Sequence, residues 1–249
     1  MDNMMTIVTF EQYLKDKNID IVDKFNYDSI VINEESLIEQ MKIIDEFHKR
    51  TMRGEAIFKN RLESTVGKLV EDFKVGLKKL KREEQVLKSK EIENEFEGLL
   101  LNNLEFYIQR AEKSIKTIYE NGYLDLIRRS MKNKEISIGT EDFINLTEDK
   151  ILQIKNPNKC SYDMVEVDCF HLLRKYKKKK YELDYERLIR EFCSIEFLME
   201  DSYSFIAGLL SYPYEFVRIS TKYRKKHLTP EECLRKLVRA MEQDGDSII

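Results

Sequence analysis

Apolar residues at three- and four-residue steps run through most of this chain, and few breakers interrupt them. The longest such run, Phe58, Leu62, Val66, Leu69, Phe73, Leu77 and Leu80, has polar residues at most intervening positions, the mark of one buried helix face. Only 8 glycines and 3 prolines occur in 249 residues, which favours long helices over a many-stranded sheet. The spacing predicts a helix over 56–88, with breaks open at Gly67 and Gly76, and a second over 92–119 that ends at the Gly122 turn. A short helix follows over 124–131.

Before these, residues 6–10 read as a short strand, 10–19 as a short helix and the stretch from Phe25 to Asn33 as extended. Leu37, Ile38, Met41, Ile44 and Phe47 then mark a helix over 35–50, with Asn33 or Ser36 able to cap it. After residue 131 the texture changes. Residues 135–139 and 150–154 read as two small strands around a loop, followed by a turn at 155–159. Helices resume over 163–177, 184–198, 201–211, 213–226 and 230–242, the last with Thr229 as cap and Pro230 at its first position. The tail from Gly245 is read as loose. The whole is a mainly α chain with a small β-hairpin and no linker long enough to separate two domains.

Composition narrows the function classes. With 42% hydrophobic and 36% charged residues the chain has material for a core and for many solvated helix faces. A net charge of -3 does not suit a dedicated nucleic-acid binder. The basic run from Arg174 to Lys180 reads as a solvated helix C-terminus, where cations complement the helix dipole. Cys160, Cys169, Cys193 and Cys233 are widely spaced and read as reduced, buried thiols, not as a zinc pattern with His171 or the other histidines. No signal-peptide pattern opens the chain, and no stretch has the ~18 apolar residues that a membrane span needs.

Four stretches, in chain order, resemble the spore coat kinase-like (CotS-type) family of the aminoglycoside phosphotransferase and choline kinase group. IIDEFHKRT (43–51) resembles its first C-lobe helix, and YENGYLDLIRRSMKNKEISIG (119–139) the approach to its catalytic loop. YDMVEVDCFHLLRKY (162–176) resembles the helix after its metal-binding motif. Residues 209–237 resemble its C-terminal helices. The resemblance covers roughly 35–245 and implies a kinase-like helical C-lobe over 35–249. The N-lobe is then missing or vestigial in the segment 1–34, where no Gly-rich phosphate loop occurs.

The family's chemistry rests on an H-G-D-x-x-x-x-N loop and on a metal-binding aspartate after the next strand pair; transfer is mostly positioning and charge neutralisation. Gly139 and Asn145 fall where the family has its glycine and asparagine, but Ile138 stands for the histidine and Thr140 for the catalytic aspartate. Lys155 stands where the metal aspartate belongs, with no carboxylate in the turn after it. Asp142 and Glu141 are substitute bases only if the loop is rebuilt, since Asp142 lies three residues before Asn145 and the motif needs five. Asn145 is read as a turn residue bonding backbone, in preference to a residual metal ligand. Asp168 matches a structural aspartate that ties its helix to the loop, and His48 a structural residue at the end of its helix.

The resemblance therefore implies a degenerate kinase-like protein with no catalytic residue, no metal and no cofactor. Its expected work is protein interaction in spore coat assembly or sporulation, in the mother-cell cytoplasm or the coat. Spore coat or sporulation proteins are the expected partners, and neither a membrane nor nucleic acid is. An absent N-lobe should leave apolar surface for a second copy or a partner. Two rivals stay open. One is a divergent, active small-molecule phosphotransferase using Glu141 or Asp142; the other is a small-molecule binder that retains the acceptor pocket.

Overall fold

Asn33 starts the first long helix by a reciprocal cap: its Oδ1 accepts from the Ser36 backbone at 2.8 Å, and the Ser36 hydroxyl accepts from the Asn33 backbone at 3.1 Å. The resulting helix buries Leu37, Met41, Ile44, Phe47 and His48 along one face. In the computed structural model the described residues are 7–25, 31–54, 56–140, 143–147, 149–223 and 228–249.

They form β1 (Ile7–Val8), α1 (Phe10–Asp16), β2 (Ile19–Ile21), α2 (Glu34–Thr51), β3 (Ile57–Phe58), α3 (Lys68–Lys88), α4 (Glu95–Glu120) and α5 (Tyr123–Asn133). Next come β4 (Ile136–Ser137), β5 (Asn145–Leu146), β6 (Leu152–Ile154), a 3-10 turn at Pro157–Lys159 and β7 (Ser161–Tyr162). The chain continues through α6 (Glu166–Lys178), α7 (Tyr185–Ile195), α8 (Glu200–Ser211), α9 (Tyr214–Lys222) and α10 (Pro230–Asp244). Packing divides it into two compact units: 1–67, 123–172 and 183–206 in one, and 68–122, 173–182 and 207–249 in the other.

The first unit holds the strands seen among the described residues. β2 and β6 pair in parallel, β6 and β5 antiparallel, β4 and β7 antiparallel, and β1 and β3 in parallel. The hairpin is therefore β5–β6. The segment 135–139 pairs instead with Ser161 and Tyr162, a partner that the sequence reading lacked. α2 lies against α7 and touches β4 and β5.

The helix read over 56–88 begins only at Lys68. Gly67, at φ +81°, takes a left-handed conformation that stops it from extending backward. Phe58 is a strand residue whose ring meets Phe10 and Tyr13 edge-on at 5.4 and 5.2 Å. Residues 63–65 run beside β7 through Tyr162 N to Glu63 O (2.8 Å) and Thr65 N to Tyr162 O (2.9 Å). From Lys68 onward α3 passes through Gly76 unbroken.

The second unit packs α3, α4, α9 and α10 together with the ends of α6 and α8. Stacked aromatic pairs fill it: Phe73 on Tyr212 and Tyr107 on Phe216, each with ring centroids 3.8 Å apart. Its tail is not loose. Arg110, buried on α4, donates to the carbonyls of Ser211, Asp244, Gly245 and Asp246, while Ile248 N donates to the Ser211 hydroxyl at 3.0 Å. The Asp244 carboxylate accepts from Glu215 N and Phe216 N at 2.9 and 2.8 Å and so caps α9. Thr229 caps α10 reciprocally with Glu232, with Pro230 opening it.

Among the described residues no helix is long and apolar enough to cross a membrane. All four cysteines are free and buried.

Candidate functional site

Asp168, in the first turn of α6, is 2% exposed and organises the loop that follows β4. Its Oδ2 accepts from Ile138 N at 2.8 Å and faces His48 Nε2 at 2.9 Å. Its Oδ1 accepts from the Ser137 hydroxyl at 2.7 Å and from Gly139 N at 3.1 Å. One carboxylate thus fixes three successive residues of the loop and the end of α2. Gly139 sits at φ +66° with the Lys159 carbonyl where a Cβ would be, so this point of the loop admits only glycine.

His48 has a second carboxylate on its other ring nitrogen: Nδ1 lies 2.6 Å from Glu196 Oε1, and the imidazole is fully buried. Burial opposes its charge, but Glu196 and Asp168 outweigh that and hold the His48 pKa up to about 10. Asp168 is correspondingly held below the usual carboxylate range: burial raises it, and the bonds from His48, Ile138 N and Ser137 more than offset this. The centre is an imidazolium between two carboxylates, joining α2, α6 and the turn after α7.

A second buried cluster lies just before β4. The Arg129 guanidinium donates from Nε and Nη2 to the two oxygens of Glu135 (3.0 and 3.0 Å) and from Nη1 and Nη2 to those of Glu166 (2.8 and 2.7 Å), and Ser202 donates to Glu166 at 2.5 Å. Burial works against ionised Glu166, but Arg129 prevails and lowers its pKa.

The sequence-derived positions fall after β4, on β5 and after β6. Thr140 follows Gly139 and is half-buried. Glu141 and Asp142 lie outside the described residues. Asn145 opens β5 and spends its amide N–H on Gln153 Oε1 at 3.1 Å, across the strand pair. It is a strand residue with a side-chain partner, not a turn residue bonding backbone. Lys155 follows β6 directly. Its ammonium lies 4.8 Å from the centroid of the Phe25 ring, brought alongside by the β2–β6 pairing and by Val22 N to Ile154 O at 2.9 Å.

Among the described residues no group of histidine, cysteine and carboxylate side chains is arranged to hold a metal. His171 is half-buried, its ring 5.3 Å from that of Phe170. In the second unit the basic run of α6 is engaged within the chain. Arg174 and Lys178 pair with Glu215 at 2.9 Å each, Lys180 with Glu242 at 2.6 Å, and Lys177 donates to the Asp244 carbonyl.

Sequence reasoning did not single out Glu196, Arg129, Glu135 or Glu166. Glu196 and His48 are 148 positions apart, and no local pattern marks the pair.

No family model and no curated protein matches the chain. Among solved structures it is similar to the crystal structure of an aminoglycoside phosphotransferase from Alicyclobacillus acidocaldarius, with a TM-score of 0.64 and 13% identity over 85% of this chain and 63% of that one. The chain thus spans less than two thirds of that protein's length. At this identity the likeness concerns the fold alone, and it shows that the chain has the mainly helical, kinase-like fold of the aminoglycoside phosphotransferases.

Proposed function

We propose that the chain is a degenerate member of the spore coat kinase-like group that has lost phosphoryl transfer and works through protein interactions in coat assembly or sporulation. The observation that carries this reading is Lys155. The position after β6, where the resemblance calls for a metal-binding carboxylate, holds an ammonium resting on an aromatic ring. An ammonium there repels a divalent cation, and Asn145, the other inherited position, offers at most one neutral amide oxygen. Among the described residues, Thr140, Asn145 and Lys155 bring no carboxylate to hold magnesium. Thr140, in place of the catalytic aspartate, has no pKa near neutrality with which to take a proton from an acceptor hydroxyl.

What the chain keeps of the kinase-like frame is its scaffold. Asp168 and Gly139 fix the start of the loop, and Thr140 stands where the resemblance calls for the catalytic aspartate. Retained shape with lost chemistry favours a binding role over an enzymatic one. The test is a phosphoryl-transfer assay with ATP or GTP, magnesium and aminoglycoside, choline and protein acceptors. No transfer above the uncatalysed rate is expected. Magnesium-dependent transfer that disappears in a Glu141→Gln or Asp142→Asn variant would establish the enzymatic rival.

A further inference from the structure

Formal charge is divided unevenly along this chain. With histidines neutral, the first unit has 28 acidic and 18 basic residues, a net charge of -10, and the second has 18 acidic and 25 basic, a net charge of +7. A chain at -3 overall thus contains two strongly and oppositely charged parts.

In the second unit the free cations gather on α3. That helix buries Val70, Phe73, Leu80 and Leu87 and turns Val75, Lys78, Lys79 and Arg82 to solvent. Steps of three and four residues make these four neighbours on one face. Val75 is 47% exposed, and Lys78, Lys79 and Arg82 make no ion pair or hydrogen bond among the described residues. No acidic residue occurs between Val75 and Arg82. The carboxylates just beyond are taken, Glu83 by the Tyr223 hydroxyl at 2.7 Å and Glu84 by Lys88 at 2.8 Å. A comparable trio on α10, Arg235, Lys236 and Arg239, is exposed and without an ion pair, but Glu231 and Glu232 precede it and Glu242 follows it. Glu231 stands close enough to Arg235 for its carboxyl to feel that charge.

We infer that the basic face of α3 docks on the acidic first unit of a second copy of this chain. Charge complementarity selects that occupant, because the chain itself supplies the polyanion. Among the described residues of the first unit, Asp20, Asp23, Glu35, Glu186 and Asp201 are exposed carboxylates with no ion pair of their own. The exposed valine beside the three cations suits a protein surface better than the phosphates of a nucleic acid, which give it nothing to pack against. The contact joins two unlike patches, so each copy in a pair keeps one patch free, and the contact can repeat from copy to copy without closing. This gives the interaction role a partner, but it does not depend on the loss of phosphoryl transfer, and association and transfer are read by separate assays.

The test is sedimentation velocity of the full chain over a range of concentrations in about 0.1 M and about 1 M sodium chloride, where charges are screened beyond ~10 Å and ~3 Å respectively. Dimers and larger species that grow with concentration are expected in the lower salt, and monomer in the higher. Lys78→Glu, Lys79→Glu and Arg82→Glu together should weaken self-association about tenfold or more. Arg235→Glu, Lys236→Glu and Arg239→Glu together change the net charge equally and should weaken it far less. All six side chains are exposed, and circular dichroism checks that each variant is folded. The α3 variant keeps its acidic unit, so a labelled sample should still bind native chain while failing to bind itself. A native chain that stays monomeric in the lower salt overturns the inference, and its retention on duplex DNA in that buffer would assign the face to nucleic acid. Equal weakening by both triple variants also overturns it, since net charge and not this face would then govern association. So does an α3 variant that fails to bind native chain, since the contact would then not join unlike patches.

Discussion

Replacing His48 with glutamine leaves Asp168 and Glu196 facing each other in the interior with no cation between them. The loss can be worked from the histidine's titration. Its pKa is about 10 in the folded chain against 6.5 unfolded, so folding favours the protonated form. That contribution is full below pH 6.5 and is lost as pH rises through 10. Linkage gives about 4 kcal/mol at pH 7 and about 1.4 kcal/mol at pH 9, an order of magnitude in line with the ~3–5 kcal/mol cost of breaking a buried ion pair. The chain has no tryptophan, so urea unfolding is best followed by circular dichroism at both pH values, for the native chain and the variant. Lys177, pushed down to about 8 by burial and by Arg110, contributes with the opposite sign over this range. It is common to both proteins and cancels in their difference. The expected result is a variant deficit of several kcal/mol at pH 7 that shrinks by more than half at pH 9. A deficit under ~1 kcal/mol, or one independent of pH, would refute the buried imidazolium.

Gly139→Ala forces a side chain onto the Lys159 carbonyl at a positive φ and should cost about 2 kcal/mol or more, read as a lowered urea midpoint. Arg110→Ala removes the donor that gathers four carbonyls, so limited proteolysis should release residues from 245 onward, which the native chain retains. Arg129→Ala strands Glu135 and Glu166 in the interior and should cost roughly 3–5 kcal/mol at pH 7. Native Glu166 stabilises above its unfolded pKa and loses this as pH falls, whereas without Arg129 burial favours its protonated form; the variant's deficit should therefore narrow in acid unfolding experiments.

Local signals were legible in the sequence, and distant pairings were not. The starts of α2 and α10 could be read because Asn33 and Thr229 cap their own helices within three residues. The start of α3 was misread because Phe58, Leu62 and Val66 mimic helical spacing. Phe58 is drawn instead into a cluster with Phe10 and Tyr13, some 45 or more residues away, and Gly67 breaks the run. β4 and β7 are two residues each, too short for alternation to show. The tail reads as polar and loose until Arg110, 134 positions earlier, is seen to hold it. Glu196 on His48 and the Arg129 cluster depend on tertiary approach, for which the sequence has no periodic signature.

The central claim is that the kinase-like frame no longer takes a magnesium-bound nucleotide. A thermal-shift titration of the purified chain with ATP and GTP, each with and without magnesium, tests it most directly. A nucleotide at 100 times its dissociation constant would stabilise the fold by about 2.7 kcal/mol, a readily measured shift. The expected result is no magnesium-dependent shift with either nucleotide. A shift that requires magnesium would contradict the claim, for it would mean that a divalent cation is held despite Lys155 and Thr140.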